Sequence, residues 1–243
     1  MAEPVRLTPL MEQYINIKKQ HPDEVVFFRL GDFYEMFFED AVMVSRLLNL
    51  TLTHRADSPM CGVPYHASKV YIARLLRFGK KIAICEQVGE IAPAGGLTER
   101  KVIEIITPGT AVETEYLEQG VNNFLACLNV YHGKAGFAYI DVTTSEFKAT
   151  SWNASLMPEY FAKELGRCNP KELLLPLSLK ENSVIKNTLE QNPSISVSYY
   201  PDWHFNAESS FKKLTEQFKT ANLNSFGLTD QSALISGAPI QNV

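Results

Sequence analysis

The chain has 243 residues, 45% hydrophobic and 21% charged, which is enough for one large domain or two ordinary ones with real cores and excludes a disordered chain. No run of about 18 apolar residues occurs, and the N-terminus lacks a basic-then-apolar leader, so the expectation is a cytoplasmic protein with no membrane partner. The formal net charge of -4 argues weakly against an autonomous DNA binder, since cationic side chains on phosphates supply most non-specific affinity.

In chain order, Thr8-Pro9 is a helix start, a capping hydroxyl followed by a proline in the first turn. Leu10, Tyr14 and Ile17 recur at helical spacing, and His21-Pro22 stops the helix. Residues 25–30 form an apolar run that reads as a buried strand, followed by the turn signal Gly31-Asp32. A second helix is predicted over residues 39–49 with Val42, Leu47 and Leu48 inward, and a third over residues 67–78 that ends at Gly79. Residues 81–86 and 101–107 read as strands separated by a loop at residues 93–96, making the first unit α/β.

Pro108-Gly109 opens a less regular stretch with Glu113, Glu115 and Glu118, and the domain linker is placed near residues 108–121. The expected domains are therefore 1–112 and 121–243. Residues 124–131, 137–142 and 146–151 are strand-like, with turns at His132-Gly133 and Thr144-Ser145, which gives an antiparallel meander. A helix at 157–166, a strand at 173–175, another helix and a strand at 195–199 complete a second α/β unit.

Familiar enzyme motifs are missing: no G-x-x-x-x-G-K-[ST], no G-x-G-x-x-G after a strand, no H-E-x-x-H, G-x-S-x-G or C-x-x-C. The expectation is a chain that performs no chemistry and needs no cofactor. Cys61, Cys85, Cys127 and Cys168 are scattered, which points to reduced, structural thiols rather than a zinc site.

The most informative segment is residues 31–38, Gly-Asp-Phe-Tyr-Glu-Met-Phe-Phe. In an extended chain, Phe33 and Glu35 project on one face and Tyr34 and Met36 on the other. The pattern alone leaves two readings open. One is a hairpin strand with Tyr34 and Met36 in the core and Phe33 half-covered. The other is an aromatic wedge that enters a base step and kinks the duplex, with a carboxylate two residues on that hydrogen-bonds a base edge. Stacking worth about 1–3 kcal/mol per base is comparable to the cost of unstacking a step, so such a wedge favours a weakened, mispaired one.

This segment resembles the Phe-x-Glu mismatch-recognition motif of the MutS family. Other family-like segments follow in order: residues 8–14 (Thr-Pro-Leu-Met-Glu-Gln-Tyr), 52–55 (Leu-Thr-His-Arg), 59–66 (Pro-Met-Cys-Gly-Val-Pro-Tyr-His), 83–89 (Ala-Ile-Cys-Glu-Gln-Val-Gly), and Glu99-Arg100-Lys101-Val102 on to Thr110. The resemblance implies that Phe33 stacks on the mispaired base and Glu35 hydrogen-bonds it, while Tyr34 is structural. It implies that Arg55 and a loop carrying Pro59 and Met60 touch the adjacent backbone or minor groove; Arg55 otherwise reads as a solvated surface arginine, and His66, at the start of a predicted helix after Pro64-Tyr65, as a packed or capping side chain rather than a ligand. The implied partner is mismatched double-stranded DNA.

The segment 136–147 (Gly-Phe-Ala-Tyr-Ile-Asp-Val-Thr-Thr-Ser-Glu-Phe) resembles the start of an RNase H-like fold and of the family's connector domain. Asp141 leaves two readings open, a structural carboxylate and a metal ligand of a nuclease; a third reading makes this unit a module that docks repair partners without reading DNA. From residue 150 the resemblance loosens, and residues 235–243 are expected to leave the family pattern. The resemblance implies a fragment, monomeric by itself, of a longer dimeric protein whose ATP- and magnesium-using parts lie elsewhere.

Overall fold

The computed structural model describes residues 8–55, 57–89 and 98–228; the loop expected at 93–96 lies outside the described residues. The chain folds as two units, one comprising residues 1–107 and 113–116, the other 108–112 and 117–243. Both are mixed α/β, each built on a single sheet.

The first unit begins with helix α1 (Pro9–Gln20), whose Thr8 hydroxyl accepts from the Met11 amide and whose proline sits in the first turn. Strand β1 (Glu24–Leu30) turns through Gly31-Asp32 into β2 (Phe33–Phe37), followed by α2 (Phe38–Leu48). Then come β3 (Thr53–Arg55), β4 (Ser58–Pro64), α3 (Ser68–Arg77), β5 (Lys81–Gln87) and β6 (Arg100–Ile106). The sheet order is β3-β4-β2-β1-β5-β6, with β1 and β5 parallel and the other pairs antiparallel. Helix α1 covers one face, packing Met11, Tyr14 and Ile17 on Val26, Phe28, Phe37, Ala83 and Cys85. Helices α2 and α3 cover the other. The buried stripe of α2 is Ala41, Val44, Ser45 and Leu48, so of the residues expected inward only Leu48 is fully buried; Val42 and Leu47 are half-buried.

Asp40 ties three of these elements together. Its buried carboxylate accepts from the Tyr14 hydroxyl (2.9 Å), the Lys18 ammonium (3.0 Å) and the Val26 amide (3.1 Å). The first residue of α2 carries the strain of the abrupt strand-to-helix change: Phe38 has φ 53, unusual for an aromatic residue.

In the second unit β7 (Phe124–Tyr131), β8 (Lys134–Asp141) and β9 (Glu146–Asn153) form the expected meander. Helix α4 (Met157–Cys168) leads to β10 (Glu172–Pro176), α5 (Ser183–Glu190) to β11 (Ser196–Tyr200), and α6 (Ala207–Phe218), beyond the expected elements, follows. The order β11-β10-β7-β8-β9, with β10 parallel to β7 and to β11, is an antiparallel meander extended by parallel strands, the RNase H-like arrangement anticipated for this half. Its larger core joins Phe137, Trp152, Phe161, Leu165, Leu173 and Ile185. Pro108-Gly109 docks onto this unit, since the Gly109 amide donates to Glu172 (3.1 Å) and a Cβ there would lie 2.8 Å from Leu125 Cδ1.

Replacing Asp40 by Ala leaves the Val26 amide unanswered beneath α1 and removes the carboxylate from Tyr14 and Lys18, which keep only the Phe37 and Glu24 carbonyls. It is expected to lower the unfolding free energy by about 3 kcal/mol, measured by urea denaturation.

Candidate nucleic-acid interface

Strand β2 is flanked on both sides: Phe33, Tyr34 and Glu35 pair with Leu30, Arg29 and Phe28 of β1, and with Pro64, Val63 and Gly62 of β4. Alternation then sends Phe33, Glu35 and Phe37 to the α1 face and Tyr34 and Met36 to the α2/α3 face. Helix α1 reaches only the Phe37 end of its face. Phe37 is fully buried, Glu35 is half-buried, and Phe33 stands 46% exposed.

Residues 59–64 form a strand rather than a loop. Thr53, His54 and Arg55 pair with Met60, Pro59 and Ser58 in a hairpin at the edge of the sheet. This register puts Arg55 and Met60 on the same face as Phe33 and Glu35, with Met60 half-buried against the α1 cluster. Pro59 takes the alternate position and faces the other way. Of the five residues singled out from sequence, the fold thus gathers Phe33, Glu35, Arg55 and Met60 on one face and not Pro59.

Within that face, Arg55 Nη1 donates to Glu35 Oε2 at 2.7 Å, and the pair bridges three strands. The Arg55 side chain is 46% exposed and that of Glu35 only 14%, so the guanidinium lies outermost. Gly62 sits between Phe33 and Glu35. A Cβ there would lie 3.3 Å from the Tyr34 carbonyl oxygen, 3.5 Å from Glu35 Cγ and 3.8 Å from Phe33 Cδ1.

On the opposite face Tyr34 is buried and its hydroxyl donates a short hydrogen bond to Glu86. Burial and then this acceptor push the phenol well above its ordinary pKa. Arg29 stacks on Tyr65 (3.5 Å to the ring centroid) and lies 3.9 Å from Glu86. Tyr34 therefore anchors β2 from below.

Arg100 received no individual role from the sequence. It lies buried beside the same sheet face, donating to the Arg29 and Thr98 carbonyls and to Gln13, with its guanidinium 5.0 Å from the Phe28 ring. Burial lowers its pKa, and the like charge of Arg55 acts in the same direction. Its signal in the sequence is only an arginine at the start of an apolar strand. His66 is exposed in a single 3-10 turn (Tyr65–Ala67), a correction to the packed or capping role.

All four cysteines are free and buried, and burial pushes the Cys61, Cys85 and Cys168 thiols up to about 12, far from thiolate chemistry. Among the described residues, no group of three or more His, Cys, Asp or Glu side chains is disposed to hold a metal ion, and no helix is long and apolar enough to cross a membrane. Asp141 is buried at the end of β8, where both carboxylate oxygens are engaged. Oδ1 accepts from the Thr143 amide (2.9 Å), the Thr143 hydroxyl (2.6 Å) and the Thr144 amide (3.3 Å), and Oδ2 from the Asn123 amide (3.0 Å). Burial opposes its ionisation, but these donors outweigh it and hold the carboxyl below the ordinary aspartate range. Those are the contacts of a carboxylate that closes a turn.

Comparison with known proteins bears on the whole chain. The family models described as MutS domain I and MutS domain II match residues 8–115 and 123–240. The second match corrects the expectation that residues 235–240 leave the family pattern. The DNA mismatch repair protein MutS of Treponema denticola is 56% identical over 236 residues, covering 93% of this chain and 26% of that protein. That of Treponema pallidum (strain Nichols) is 46% identical over 232 residues, covering 95% and 26%, and that of Symbiobacterium thermophilum 41% identical over 242, covering 97% and 28%. The chain spans about a quarter of the length of these relatives. Two α/β units in this order are the first two domains of the family's architecture. The chain belongs to the MutS family.

The packing around Gly62 and the donors around Asp141 each lead to a measurable expectation. Gly62→Val drives a branched side chain between Phe33 and Glu35 and against the Tyr34 carbonyl. It is expected to cost about 1–3 kcal/mol in urea denaturation and to move the Glu35 and Arg55 amide resonances. For Asp141, a folded pKa below the unfolded value of about 3.9 contributes stability that is complete above that value and lost as pH falls through the lower folded one. The urea midpoint should fall below about pH 4, and Asp141→Asn should remove part of that fall.

Proposed function

We propose that the α1-side face of the first unit reads mispaired bases in duplex DNA. Phe33 inserts at the mispaired step and stacks on the base, and Glu35 hydrogen-bonds it, with Arg55 and Met60 against the neighbouring backbone and minor groove. The observation that carries this reading is the exposed Phe33 ring on the same sheet face as a carboxylate already in the grip of an arginine. An exposed aromatic on a strand paired on both sides is presented to the outside with no core role to explain it. A carboxylate beside phosphates is tolerable only with a cation to offset it and a specific donor to satisfy.

The second unit serves as the connector, with downstream repair proteins as its partners. In the longer protein that the relatives' lengths suggest, dimerisation, most phosphate contacts, and ATP hydrolysis with magnesium belong to other parts, and this chain performs no chemistry of its own. Its mild acidity fits that division. The chain as it stands is expected to be a monomer in the cytoplasm that binds duplex weakly.

The test is Phe33→Ala in the full-length protein containing this chain, with equilibrium binding to matched and mismatched duplexes compared. Loss of stacking should reduce the mismatch preference by about 5- to 150-fold, corresponding to about 1–3 kcal/mol, with thermal stability unchanged because the ring is exposed. An unchanged preference would overturn the reading.

A further inference from the structure

We propose that Arg55 is an exchangeable partner of Glu35. The two are paired in the free chain and on matched duplex, and Arg55 moves to a phosphate only when a mispaired base takes over the carboxylate. The inference rests on the reading of Phe33 and Glu35 above and goes beyond it, because it makes phosphate contact conditional on base reading.

The geometry supplies both halves of the exchange. The bond is a charge-assisted contact of 2.7 Å, but only one guanidinium nitrogen makes it, and nearly half of the Arg55 side chain faces outward. Arg55 ends a three-residue edge strand whose residues are all exposed, so little packing holds its side chain in place. Glu35, in contrast, is set in the middle of a strand bracketed by β1 and β4, and its side chain is largely covered. Of the two partners, the arginine is the one free to leave. The buried Arg100 cation lies within electrostatic reach of Arg55 and repels it.

An approaching duplex pulls on the pair in one sense. Phosphates attract the guanidinium, with which they form bidentate contacts, and repel the carboxylate. On matched DNA the transfer strands Glu35, a half-buried anion with no donor, close to the phosphates. That cost keeps the pair closed. At a mispaired step a loosened base offers an N–H to the carboxylate, Glu35 is satisfied, and Arg55 is released to the backbone.

Salt dependence distinguishes this from simpler roles, because each phosphate contact by Lys or Arg adds about 0.9 to the slope of log K against log salt. In the full-length protein, Arg55→Gln should reduce the slope by about one for mismatched duplex and leave it unchanged for matched duplex. Glu35→Gln, which removes the charge that holds Arg55, should steepen the matched slope by about one. Arg55→Lys, which keeps the charge, should retain the parental difference between duplexes and controls for folding. Equal changes on both duplexes with Arg55→Gln would make Arg55 an ordinary phosphate contact, and no change on either would mean that the pair never opens; each overturns the proposal. Failure of the underlying reading shows separately, as unchanged discrimination in Phe33→Ala.

Discussion

Everything on the candidate interface depends on the pleat of β2 and its hydrogen bonding on both edges. A strand paired with β1 on one side and β4 on the other cannot rotate about its own axis, so Phe33 and Glu35 must share a face and Tyr34 and Met36 must share the opposite one. A slip of one residue would bury the exposed ring and expose the tyrosine that bonds Glu86. The core residues of this strand therefore determine which side chains are presented, although they take no part in contact themselves. Asp40 reinforces the arrangement just beyond the strand by fixing α2 to α1 and β1.

The charge of that face is set by its own pairings rather than by the acidity of the chain as a whole. Glu35 does not stand alone: Arg55 bonds it directly, and Arg100 places a buried cation beside the same sheet face. Local charge on that face is thus decoupled from the overall balance of -4.

Much of this architecture is legible in the sequence, and the failures have physical causes. The Thr8 cap, the His21-Pro22 stop, the Gly31-Asp32 turn and the meander from Phe124 are local signals, and the fold follows them. The hairpin of β3 and β4 is hidden because Pro59, Gly62 and Pro64 are poor strand residues, tolerated here beside a three-residue edge strand and where a Cβ would crowd the Tyr34 carbonyl. Helix α6 lies beyond the expected elements, although its Asn206 cap and its apolar residues Phe211, Leu214 and Phe218 at helical spacing are local signals of the same kind. The Arg55–Glu35 bond and the stacking of Arg100 on Phe28 join residues 20 and 72 positions apart, and only sheet register brings them together. For Asp141 the sequence shows a carboxylate at a strand end, but not the four donors converging on it.

The doubly paired setting of β2 also has a mechanical meaning. An aromatic ring mounted on a flexible loop could fold away when it met a well-stacked step, whereas one mounted on a central strand has no soft direction in which to retreat. Under the proposed function, any distortion on contact falls on the nucleic acid, and the chain would act as a stiff probe of the duplex's own compliance. On the proposed reading, the ease with which a mispair is found would follow the softness of the steps flanking it, with pyrimidine–purine neighbours yielding more readily than A-tracts.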